Sequence, residues 1–118
     1  MKELTGPQKL WVAALRSEKY EQTKDILEDN FGFCCLGVAC KIADQHGVFV
    51  RKHDDGTLIG GDLSDQPDVQ KWLGLKSSYG GLPEKTGSGL TELNDSGKTF
   101  KELADIIEQY SDVLFVGE

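Results

Sequence analysis

The stretch Phe31-Gly32-Phe33-Cys34-Cys35-Leu36-Gly37-Val38-Ala39-Cys40-Lys41-Ile42-Ala43 is the most apolar part of the chain. It carries all three cysteines and a single charge. Phe31 and Phe33 alternate like the end of a strand, whereas Leu36, Ala39, Ile42 and Ala43 recur at helical spacing. A strand that runs straight into a buried helix starts the core of a small mixed domain. The same arrangement is how thiol enzymes present a nucleophile at a helix N-terminus. The rest of the chain has to separate those two readings.

Upstream, Thr5-Gly6-Pro7 opens a helix, because Thr5 can cap it and proline is tolerated in a first turn. Leu10, Trp11, Ala14 and Leu15 form its apolar stripe, which runs to about Ser17. Tyr20–Leu27 reads as a mostly polar strand. Glu28-Asp29-Asn30 with Gly32 is a turn, so Gln22–Leu27 and Phe31–Cys34 are expected to pair as a hairpin. The central helix, Cys35–His46, stops at Gly47. Val48–Arg51 and Thr57–Ile59 then form a second hairpin around Asp54-Asp55-Gly56, since Asp-Gly reaches positive φ at little cost.

A third helix covers Pro67–Leu73 and is closed by Gly74. Residues 75–89, rich in Gly and Ser, read as a flexible loop. Leu90–Asp95 is a short helix. Thr99-Phe100-Lys101-Glu102 is a capping box for a last helix striped by Phe100, Leu103, Ile106 and Ile107. Ser111–Val116 reads as a terminal strand. The expected fold is α+β: about four short helices packed on a small antiparallel sheet, in a single domain spanning residues 1–118.

At 118 residues the chain is long enough to bury roughly two-thirds of its unfolded surface without staples. Thirteen basic against twenty acidic residues leave a net charge of −7, the wrong sign for general nucleic-acid binding, which needs a basic face. Residues 101–118 hold one Lys against five acids, a strip that reads as a solvated helix face or a dock for a basic partner. The longest apolar run, Leu10–Leu15, is too short for a membrane span or a signal-peptide core. Three cysteines, two of them adjacent, imply no disulfide framework. A reduced, cytoplasmic protein is therefore expected.

A thiol nucleophile would be Cys34 or Cys35, where a helix dipole lowers a thiol pKa. His46 lies on the order of 17 Å from Cys35 by helical rise, too far to deprotonate it. That leaves His53, in a hairpin arm, as the candidate base. Against the enzyme stands the plain reading that three cysteines fill a tight core as small apolar residues. No Cys-x-x-Cys knuckle exists and Cys40 and His46 are six apart, so neither a metal nor a cofactor is expected. Ser96-Gly97-Lys98-Thr99 resembles the end of a P-loop, but Glu92 stands where that motif needs Gly. Lys98 and Thr99 at a helix N-terminus remain a modest anion site. A second set, Arg16, Tyr20, Gln22, Asn94 and Asp95, offers fork donors, an aromatic face and amides for a planar ligand if it converges. Otherwise Asn94 and Asp95 cap backbone and Arg16 pairs with an acid. Trp11 and Trp72 read as core or core-edge anchors.

Several phrases together carry a resemblance. They are Leu15-Arg16-Ser17 with Tyr20 and Gln22, the Phe33–Cys40 segment, Trp72-Leu73-Gly74-Leu75, Leu93-Asn94-Asp95-Ser96-Gly97, and Phe100 leading into Ala104–Glu108. Over nearly its whole length the chain resembles small uncharacterised proteins of tailed phages and prophages, in which "YCCLGV-C" and "LND-G-SF-EIAD-IE" segments recur in this order. The resemblance brings no catalytic residue with it. It implies a phage accessory product, a class in which inhibitors and decoys aimed at host proteins or signals are common. The expected function is a counter-defence binding protein that inhibits a host protein or sequesters a small, possibly nucleotide, signal. The alternative is a cysteine-dependent hydrolase or transferase using Cys34 or Cys35. Oligomeric state stays open.

Overall fold

A computed structural model describes residues 3–83 and 89–116. The helices are α1 (Gly6–Arg16), α2 (Cys35–Gln45), α3 (Pro67–Leu73), α4 (Leu90–Asp95), α5 (Phe100–Gln109) and α6 (Ser111–Leu114). A two-stranded antiparallel sheet, β1 (Glu28–Asp29) and β2 (Gly32–Phe33), precedes α2, and a 3-10 turn at Leu63–Asp65 precedes α3. The α+β class stands. Among the described residues, however, there are six α-helices instead of about four, and the sheet is two residues deep, so helices pack chiefly on one another.

The apolar stretch around the cysteines is the hub. α2 buries Cys35, Leu36, Gly37, Val38, Ala39, Cys40, Ile42 and Ala43, far more than one stripe, because α1, α3 and α4 cover it from several sides. α1 also lies against α5. Thr5 and Gln8 form a reciprocal capping box at its start. Buried Gln8 then uses its Nε2 to donate to Leu73 O at 2.7 Å, so a cap residue also ties α1 to the end of α3. Trp11 is fully buried, donates from Nε1 to Cys35 O at 2.9 Å and meets Phe115 edge-on. Trp72 is half-buried at the core edge.

Three strand expectations are corrected. The polar segment before β1 does not pair as a strand over Gln22–Leu27. Only Gln22 bridges Phe33, in parallel, while Asp25 turns the chain through φ 69°. Its N–H groups go to scattered acceptors, Thr23 to Phe33 O, Asp25 to Asp95 Oδ1 and Leu27 to Gly60 O. The second hairpin shrinks to a single Lys52–Leu58 bridge. The reason is Gln66, buried at 1 % exposure. Its amide accepts from Arg51 N at 2.8 Å and donates to Arg51 O and Ile59 O. It thus stands between Arg51 N and Ile59 O, which a strand ladder would have joined directly, while Ile59 N still donates to Arg51 O. The terminal strand is instead α6, after which Phe115 bridges Leu75. Short apolar runs do not distinguish strand from helix by pattern.

Of the expected loop 75–89, residues 84–88 lie outside the described residues. The flanks are fastened: Leu63 N donates to Ser78 O, Gly81 N to Ser77 Oγ, and Gly81 bridges Gly89.

Candidate functional site

Cys34 is the N-cap of α2, with φ −81° and ψ 174°, so the thiol does sit at the strand-to-helix junction. Burial dominates its chemistry. Cys34, Cys35 and Cys40 are all buried, at 2 % exposure or less. Desolvation pushes the Cys34 thiol up to about 11, against the opposing pull of the Gly37 and Leu36 N–H groups. The helix-terminus effect is therefore present and loses. Burial also raises Cys35 and Cys40. The Cys35 Sγ points to Leu90 O at 3.9 Å, a core contact. His46 makes a 2.9 Å contact from Nδ1 to Ile42 O and lies against Trp72, while His53 is exposed in the hairpin turn. This arrangement opens no thiol to a substrate.

Part of the polar set does converge, and its centre is Asn94. The side chain is fully buried, and all four of its hydrogen-bonding positions are used. Its Oδ1 accepts from Gln22 Nε2 at 2.8 Å and Cys35 N at 3.2 Å; its Nδ2 donates to Thr23 O at 2.8 Å and Asp95 Oδ1 at 3.2 Å. Asp95 Oδ1 also takes the N–H of Asp25. A buried amide left unpaired is costly, so this network locks the 22–25 segment onto the start of α2 and the end of α4. Asn94 and Asp95 cap backbone.

Arg16 is drawn away from that cluster. Its Nη2 pairs with Asp105 at 2.6 Å and Glu108 at 2.5 Å, joining the end of α1 to α5, and those hydrogen bonds to Glu108 and Asp105 raise its pKa. The anion site at Lys98 and Thr99 is also occupied in part from within. The N–H groups of Gly97, Lys98, Thr99 and Glu102 already have acceptors in Asn94 O, Leu93 O, Glu102 Oε1 and Thr99 Oγ1.

What remains open is a cleft of about 370 Å³ between the end of α1 and the start of α5. Tyr20, Gln22 and Thr99 of the expected set line it, with Leu15 and Phe100 at its apolar base and Glu18, Glu21 and Lys101 as its charged members. Tyr20 is held edge-on by Phe33, ring centroids 5.7 Å apart. Gln22 spends Nε2 on Asn94 Oδ1 and Lys98 O, and among the described residues its Oε1 has no partner. Lys101 reaches Glu18 at 3.3 Å. Sequence reasoning missed Glu18, Glu21 and Lys101. Glu18 turns at φ 62°, and that turn, which carries it to the cleft, leaves no pattern in residue types.

The geometry thus defines a small α+β domain with an internally satisfied polar hub beside an open, mixed-charge cleft. Among the described residues no three His, Cys, Asp or Glu side chains gather as metal ligands, and no helix is long and apolar enough to cross a membrane. The chain belongs to a family whose model is described as a domain of unknown function, DUF8296, matched over residues 5–111. No curated protein and no solved structure matches it.

Proposed function

We propose that this is a phage-type accessory binding protein that acts by stoichiometric contact with a host protein in the host cytoplasm, as a counter-defence factor, using the Tyr20 cleft as its contact site. One observation carries the reading: the groups that could have formed a reaction centre are consumed in holding the fold. The thiols are sealed, Asn94 is saturated and Arg16 is paired. The cleft is what the sequence-derived set leaves accessible. Its carboxylates, Glu18 and Glu21, oppose a phosphate. That favours a protein surface over a nucleotide signal.

The test is capture from lysate of the host bacterium with tagged protein, followed by size measurement of the purified complex. A one-to-one partner is expected, its binding weakened at least about tenfold when Glu21→Lys and Lys101→Glu reverse the exposed cleft charges. Cys34→Ser should leave binding intact. Absence of any stoichiometric partner, together with a metabolite released from the purified chain and seen by mass spectrometry, would replace this reading with sequestration of a small signal. Loss of function on Cys34→Ser in a folded variant would favour the cysteine-dependent alternative.

A further inference from the structure

A second open groove shares no residue with the Tyr20 cleft. It measures about 650 Å³ and is lined by Gly47, Val48, Phe49, Asp68, Lys71 and Trp72. Two features distinguish it. Phe49 stands 67 % exposed on the segment that leaves α2, beside half-buried Trp72, and these are the side-chain types that anchor protein interfaces. Asp68 and Lys71 lie three residues apart on α3, hence on one helix face. Both are exposed, and neither has an ion-pair partner among the described residues.

We infer that this groove is the contact face of a homodimer, in which a second copy of the chain docks its own Phe49 beside Trp72. A two-fold axis makes an interface isologous: residue i meets j, and j meets i. With the axis passing between Asp68 and Lys71, so that the two α3 helices cross antiparallel, Asp68 of one copy faces Lys71 of the other, twice, and the two unpaired charges satisfy each other without any foreign residue. The apolar centre follows the same logic. Phe49 projects from the rim of a groove roomy enough for an aromatic ring, so knob and hole are both present on one face. The required partner chemistry is an aromatic knob flanked by one acid and one base a helical turn apart. This surface supplies it itself.

Sedimentation equilibrium of the full chain tests this. From about 1 μM to about 1 mM, the average mass of the natural chain is expected to rise from one copy towards two. Phe49→Asp should hold it at one copy throughout; at two-thirds exposure the ring is not needed for folding, which circular dichroism checks. Lys71→Glu sets carboxylates face to face and should weaken association at least about tenfold, while Asp68→Lys added to it restores the opposite-sign pairs and recovers affinity to within about threefold. A natural chain that stays at one copy to about 1 mM overturns the inference, as does a dimer indifferent to Phe49→Asp or a double variant that fails to recover. None of these outcomes bears on the Tyr20 cleft.

Discussion

Cys34 shows at the scale of one residue how the chain chooses between structure and chemistry. Its position is that of a nucleophile, and the first-turn N–H groups of α2 do pull its pKa down. Desolvation outweighs them and leaves it at about 11. A thiol whose pKa is higher in the folded than in the unfolded chain lowers stability as pH rises. Below the unfolded value both states hold the proton; above it the unfolded chain gains by releasing a proton that the folded chain keeps. Cys34 alone, shifted from 9.0 to about 11, should therefore cost about 2–3 kcal/mol of stability between roughly pH 9 and pH 11. Urea midpoints compared across that window check this. Cys34→Ala should fall less steeply than the natural chain, and equal slopes would show that the thiol is not desolvated. The position of Cys34 was legible in the sequence as strand end plus helical spacing. Its burial was the plain reading of so apolar a stretch, but how completely it is sealed depends on α1, α3 and α4 closing over α2. Asn94 is similar: its phrase marked it as a cap and Gln22 was grouped with it, but Thr23 and Cys35, its other partners far along the chain, leave no local pattern.

At the scale of elements, the capped helices were readable, while α6 was read as a strand and strand pairing was legible only around Phe33. Caps are local chemistry: Thr5 with Gln8 and Thr99 with Glu102 act within four residues, so the helix starts could be placed from the sequence. Strand pairing here is settled by distant side chains, above all Gln66, whose amide substitutes for a neighbouring strand. Gly37 is another such long-range dependence. It lies inside α2, where replacing Gly by Ala normally stabilises a helix by about 1 kcal/mol. A Cβ at this position, however, would come 1.9 Å from Leu27 O, the carbonyl that accepts from Cys34 N at 3.1 Å. The clash is with backbone, so relief requires moving the 27 segment off α2. Gly37→Ala is expected to destabilise by about 1–3 kcal/mol or more, overpacking defeating propensity. Thermal and urea denaturation decide the sign, and a variant as stable as the natural chain would mean that α2 and the Leu27 segment do not touch as described.

For the whole molecule the question is what closes the fold, and the answer lies beyond the family-matched residues. That match ends at residue 111, yet Leu114 and Phe115 are buried at 1 % and 0 % exposure. Phe115 meets Trp11 at 6.4 Å, placing the chain's last described turn against the hub formed by α1 and α2. The backbone joins in as well, with Lys76 N donating to Leu114 O at 2.9 Å and Val116 N to Gly74 O at 2.7 Å, so α6 also fastens the end of α3. A chain stopped after Ser111 should lose about 2–5 kcal/mol for the leucine and about 3–5 kcal/mol for the phenylalanine. Their sum is comparable to the whole stability of a domain this size, about 5–15 kcal/mol. Such a chain should be largely unfolded at room temperature, with Trp11 exposed to solvent and its fluorescence shifted to the red. Phe115→Ala in the full chain should remain folded at room temperature but melt earlier, by about 3–5 kcal/mol of stability. If the shortened chain kept the full urea midpoint, the closing contact between Phe115 and Trp11 would have to be abandoned, and residues 5–111 would be a self-sufficient folding unit.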